Sequence, residues 1–123
     1  MNLKMRRVLL LLVTLVVSTL VVVQGHTKLE KSEPANGAAL SAAPPHLQLW
    51  FNESPDLAVT RIVLVGPAGT VDLSPTHLKG PKTVMAGITG PMRDGKYTAS
   101  WQTAGDDGHL IKGEIAFTLQ TGK

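Results

Sequence analysis

GKYTASWQTAGDDGHLIKGEIAFTL, residues 95–119, contains two alternating runs separated by a short polar stretch. In the first, Tyr97, Ala99 and Trp101 share one face and Thr98, Ser100 and Gln102 the other. In the second, Ile111, Gly113, Ile115, Phe117 and Leu119 face one way, with Lys112, Glu114, Thr118 and Gln120 facing away. A period of two sends successive side chains to opposite sides of a sheet, so both runs read as strands with one buried face. Thr103 to His109 is then a loop at one end of that sheet.

Similar signals recur upstream. Leu47, Leu49 and Phe51 alternate with Gln48 and Trp50, between the breaker Pro44-Pro45 and the turn-like Asn52-Glu53-Ser54-Pro55. Arg61 to Val65 is a compact β-branched run that stops at Gly66-Pro67, with Val71-Asp72-Leu73 expected as its hairpin partner across Ala68-Gly69. His26 to Ser32 reads as an edge strand through Leu29. Ser74 to Pro91 is the least regular stretch, with one strand expected near Thr83 to Ile88. No apolar helical period persists, and repeats are absent. The chain is therefore expected to be all-β, with about six or seven strands in a small two-sheet Ig-like sandwich or Greek-key β-barrel.

The 123 residues suffice for one domain. Lys4, Arg6 and Arg7 precede a 16-residue run, Val8 to Val23, broken only by Thr14, Ser18 and Thr19 and followed by Gln24-Gly25. A positive start, an apolar core and a small residue at its end form the layout of a secretory signal, so residues 1–25 are read as a signal peptide and 26–123 as the exported domain. An uncleaved anchor is the competing reading, but the run carries hydroxyls and is short against the roughly 17 to 25 residues that span a bilayer. No second apolar run follows, so no membrane span is expected after cleavage. From His26 onward there are nine basic and nine acidic residues. No Lys/Arg excess remains to form a phosphate-binding face, which argues against a nucleic-acid partner. The lack of cysteine excludes disulfides, a thiol nucleophile and thiolate-ligated metal.

Chemistry must then come from histidine and carboxylate. The four histidines, at 26, 46, 77 and 109, show no spacing that declares a metal site by itself. Cleavage after Gly25 would give His26 a free amine beside its imidazole, two nitrogens able to close a chelate ring. In Gly105-Asp106-Asp107-Gly108-His109, Gly108 lets the backbone bend so that Asp107 and His109 can turn toward a common point. Three nitrogens and one oxygen suit Cu(II), which favours tetragonal N/O coordination and tops the divalent affinity order. Asp-Gly is also among the commonest turn dipeptides, so from this tripeptide alone an ordinary turn is the favoured reading. His46 and His77 read as exposed loop histidines, with His77 an adventitious ligand at most. Asp106 reads as solvated or as added negative charge near a cation.

Several segments in order resemble the CopC family of periplasmic copper-binding proteins. They are His26-Thr-Lys-Leu29, Ser32-Glu-Pro34-Ala-Asn-Gly37, Pro45-His-Leu-Gln-Leu49-Trp-Phe51-Asn-Glu53, Asp94-Gly95-Lys-Tyr97-Thr-Ala-Ser-Trp101, and Asp107-Gly108-His109 with Gly113-Glu-Ile-Ala-Phe117. The resemblance implies a seven-stranded Greek-key β-barrel of cupredoxin-like topology. It also implies one Cu(II) ion held by His26, through amine and imidazole, with Asp107 and His109. Glu53 matches a family position near the copper, but a solvated turn carboxylate is the expected role here. Met85 and Met92 lie where some relatives carry a methionine-rich Cu(I) segment. Two separated thioethers do not make a soft-ligand cluster, and both are expected to fill gaps in the core.

The function expected is a monomeric exported Cu(II)-binding protein, periplasmic or at the cell exterior. It would serve copper sequestration, homeostasis or resistance, or delivery to a membrane copper importer. No Ser/His/Asp nucleophile set is apparent, and no enzymatic activity is expected. Two competing readings are a copper-dependent oxidative enzyme with an amino-terminal histidine chelate and a metal-free Ig-like interaction module. The anionic Asp107 argues against the first, and a free amine on His26 would argue against the second.

Overall fold

The computed structural model describes residues 26–122. The signal-peptide reading of residues 1–25 lies outside the described residues. Nine strands form among them: β1 (Leu29–Glu33), β2 (Ala38–Leu40), β3 (His46–Phe51), β4 (Arg61–Gly66), β5 (Gly69–Val71), β6 (His77–Gly80), β7 (Thr83–Gly87), β8 (Gly95–Ala104) and β9 (Leu110–Leu119). They make two sheets, one ordered β1-β3-β7-β6 and the other β2-β9-β8-β4-β5. The protein is thus an all-β sandwich. Among the described residues no helix is long and apolar enough to cross a membrane.

The longest alternating runs give the strongest elements. β8 and β9 pair antiparallel over their full length, from Gly95 opposite Leu119 to Ala104 opposite Leu110. Their inward residues Tyr97, Ala99, Trp101, Ile115, Phe117 and Leu119 meet Leu47, Leu49, Phe51, Leu64 and Val84 in one buried cluster. Tyr97 stacks on Phe117 with ring centres 5.3 Å apart, and Phe51 meets Trp101 edge-on at 5.4 Å. The Tyr97 hydroxyl donates to the Arg93 carbonyl at 2.6 Å, so the buried phenol keeps a partner at the corner where the chain enters β8.

Where the strands depart from expectation, the causes are local. The expected hairpin partner of β4 is met at Val71, which lies opposite Leu64, but the paired strand runs back from there to Gly69 rather than on through Asp72-Leu73. β5 begins at Gly69, paired with Gly66, so the turn lies over Pro67-Ala68. Proline presets the backbone angle of an early turn position, and Gly69 takes a φ of 108° that favours glycine. Leu73 instead bridges to Ile88. β2 pairs parallel to the end of β9, from Ala38 opposite Phe117 to Leu40 opposite Leu119. β6 folds back on β7. Both are too short to carry a readable period. His46 is the first residue of β3 and half-buried, rather than an exposed loop residue. Met92 packs against the core as expected, and Met85 is half-buried on β7.

Trp101 lies opposite Gly113. A β-carbon at 113 would fall 2.7 Å from Trp101 Cε2 and 3.0 Å from its Nε1, which is buried without a hydrogen-bond partner. Gly113→Ala therefore overpacks a rigid ring. We expect a loss of about 1–3 kcal/mol of stability, measured as a lower urea midpoint with an unchanged slope.

Candidate metal centre

The β8–β9 hairpin ends in the loop Gly105–His109. Gly108 donates its N–H to the Gly105 carbonyl at 3.0 Å and takes a φ of 73°, which closes the turn. Asp107 Oδ1 accepts the backbone N–H of His109 at 3.1 Å. Its Oδ2 lies 3.2 Å from His109 Nδ1. The turn reading and the convergence of Asp107 with His109 thus both hold, since the carboxylate that shapes the turn also meets the imidazole. Asp107 is held below the ordinary carboxylate range, first by the His109 backbone N–H, which is opposed by desolvation, and then by the His109 side chain and by charge on His109 and His26.

That influence of His26 reflects where the amino-terminal segment runs. β1 pairs with β3, with Leu29 opposite Phe51, which carries residues 26–28 alongside Asn52 and Glu53. Asn52 donates from its backbone N–H to the Lys28 carbonyl at 3.0 Å, and its side chain bonds both Lys28 and His26. The Thr27 hydroxyl donates to Glu53 Oε1, and Thr27 is only 5% exposed. Both groups press on Gly105. A β-carbon there would overlap the Thr27 hydroxyl and Glu53 Oε1 and lie 2.7 Å from Glu53 Cδ. The next turn is tied on as well, since Asp56 donates its N–H to the Ala104 carbonyl at 2.8 Å.

The start of the domain, the exit of β3 and the loop before β9 therefore share one pole of the sandwich. His26 and His109 are exposed there. Among the described residues, no three His, Asp or Glu side chains already converge closely enough to hold an ion. Asp107 and His109 are together, while His26 acts on Asp107 through its charge, and its nitrogen is a peptide amide in this chain. The donor types still fit a Cu(II) ion chemically, because the Asp107 carboxylate and the His109 imidazole meet at an accessible pole. Of the other candidates, Asp106 is exposed at the loop tip. His77 is exposed on β6, the edge of its sheet opposite β1, with Nδ1 3.2 Å from the Pro75 carbonyl.

Glu53 needs a correction. It is half-buried, bonded by Thr27 and packed on Gly105, rather than solvated in a turn. Thr27, Asn52 and Gly105 are the site-forming residues that the sequence reading missed. Only the tight Asn52-Glu53-Ser54-Pro55 signal hinted at them.

This all-β sandwich, with its amino-terminal segment and the β8–β9 loop gathered at one pole, is of the CopC class, whose family model, the CopC domain, matches residues 29–120. The chain belongs to the CopC family. Protein YobA of Escherichia coli (strain K12) is 26% identical over 101 residues, 80% of this chain and 82% of YobA. The crystal structure of PcoC, a methionine-rich copper resistance protein from Escherichia coli, superposes with a TM-score of 0.70 at 26% identity, over 78% of this chain and 100% of PcoC. CopC from Methylosinus trichosporium OB3b shares the fold, with a TM-score of 0.71 at 20% identity, over 80% of this chain and 97% of its own.

Gly105→Ala tests the packing that joins the two ends of the site. We expect it to separate Thr27 from Glu53, lower stability by about 1–3 kcal/mol and speed hydrogen exchange at the Thr27 and Lys28 amides relative to those in mid-β8.

Proposed function

We propose that the chain is an exported copper-binding protein. After removal of residues 1–25 it holds one Cu(II) ion through the amine and imidazole of His26, the carboxylate of Asp107 and the imidazole of His109. Copper is cargo here, bound and released by ligand exchange without chemical transformation. The protein acts as a monomer outside the cytoplasmic membrane, in a periplasm where the envelope has one. It serves copper resistance or homeostasis by sequestering the ion or passing it to a membrane importer.

The observation that supports this reading is the packing of Thr27 and Glu53 onto Gly105, which holds residue 27 against the loop that carries Asp107 and His109. Family membership and the likeness to PcoC, a copper resistance protein, support copper as the ion. This chain has four methionines in all, of which only Met85 and Met92 fall in the exported domain, so a Cu(II) site of nitrogen and oxygen suits it better than a thioether site.

Cu(II) titration of protein beginning at His26, beside a version with one extra residue in front, is the direct test. The extra residue should weaken binding at least ~10-fold, because an acylated nitrogen is no longer an amine donor; equal affinity for the two forms defeats the proposal. His109→Ala should cost a comparable factor.

Acid should release the ion. Ligand nitrogens must be unprotonated to bind, so affinity falls as they take up protons, between about pH 8 and 5. Asp107, with its pKa lowered, stays ionised through that window and becomes limiting only below the ordinary carboxylate range. A copper absorbance band that is flat from about pH 8 to 5 contradicts nitrogen ligation.

A further inference from the structure

Backbone pairing between β1 and β3 reaches Leu29 opposite Phe51. Past that point, beside the Thr27–Glu53 bond, Asn52 makes three hydrogen bonds to residues 26–28. The backbone N–H of Asn52 donates to the Lys28 carbonyl at 3.0 Å. Its side-chain Oδ1 accepts the Lys28 N–H at 2.7 Å, and its Nδ2 donates to the His26 carbonyl at 3.1 Å. A carboxamide offers the same donor and acceptor as a peptide group, so this side chain takes the part of the next peptide in the strand. It grips the backbone on both sides of Thr27, whose hydroxyl is tied to Glu53. Chain ends without such ties fray.

None of these bonds uses the nitrogen of His26. Removing the leader would turn that amide into an amine and leave every contact of Asn52 in place. We infer that Asn52 is a positioning residue for metal binding. It orders the amino-terminal segment in the metal-free protein, so that His26 is confined to the pole that carries the Asp107–His109 pair before the ion arrives. The ordering cost is then met in folding rather than in binding, which raises affinity without any contact between Asn52 and the metal. The role rests on the copper site proposed above and adds to it a residue that is not a ligand.

The test uses protein beginning at His26. Cu(II) affinity is measured by competition with a chelator, and the dynamics of the Thr27 and Lys28 amides by nitrogen-15 relaxation in the metal-free state. Asn52→Ala should weaken Cu(II) binding about tenfold or more, the usual effect of losing a partner that orients a metal ligand. The same change should move both amides to the relaxation of a frayed end. Asn52→Asp keeps the acceptor for Lys28 but sets a carboxylate oxygen against the His26 carbonyl. It should also weaken binding, and it carries the test if the alanine variant does not fold. Thr121→Val is the control. It removes the hydroxyl that bonds Asp94 at 2.6 Å near the opposite end of β8, and should lower stability while leaving copper affinity within twofold of the parent.

Affinity within twofold of the parent for both Asn52 variants overturns the inference while leaving the copper site standing. Weaker binding with unchanged amide dynamics also overturns it, because the effect would then be general destabilisation. No copper uptake by the parent overturns the site itself, and the role of Asn52 with it.

Discussion

At Gly105 there is no room for a β-carbon, and the arrangement of the whole pole follows from that. The space is taken by the Thr27 hydroxyl and the Glu53 carboxylate. These three residues come from the front of the domain, the exit of β3 and the loop between β8 and β9. Each makes the others tolerable. A buried hydroxyl without a partner costs roughly 1–3 kcal/mol, and a carboxylate drawn partly out of water needs a donor more strongly still. Thr27 and Glu53 satisfy one another only because the backbone at 105 lets them approach together.

The second half of the site obeys a different rule. Asp107 and His109 meet because a two-residue spacing across Gly108 lets a carboxylate cap the backbone N–H of the residue whose ring it also contacts. The feature that makes Asp-Gly a common turn therefore also makes it a way to present two donors. In the metal-free protein the carboxylate holds the imidazole, which limits the orientations this exposed side chain samples. An ion that takes both groups as ligands exchanges one electrostatic partner of Asp107 for a stronger one. It finds the carboxylate already ionised, since the His109 N–H and the neighbouring imidazoles favour that form.

Strands long enough to repeat a period could be read from the residues alone. The alternation at Leu47 to Phe51, Tyr97 to Trp101 and Ile111 to Leu119 marks the central strands, and their inward residues are the core. The short partners β2 and β6 could not be read, because three or four residues show no periodicity and their pairing is decided by neighbours already in place. The same division runs through the site. Asp107 and His109 are close in sequence and were legible together. His26 stood out only for what cleavage would make of it. Thr27 to Glu53 and Lys28 to Asn52 are contacts across 26 and 24 positions, and no local signal announces them. Glu53 looked solvated because its neighbours are turn formers; burial came from a glycine more than fifty residues away in sequence.

The polarity of these contacts bears on the proposed export and cleavage. Among the described residues, the hydrogen bonds that fasten residues 26–28 use a carbonyl, a hydroxyl or the N–H of Lys28, groups that cleavage after Gly25 would not touch. These contacts would therefore be the same with or without a leader attached. The proposed copper chemistry would not be, since an acylated nitrogen is a poor donor and an amine a good one. On the proposed reading, folding and metal competence would be separable by a single peptide bond, because a domain built this way can be complete while still tethered and would gain its full donor set only on cleavage.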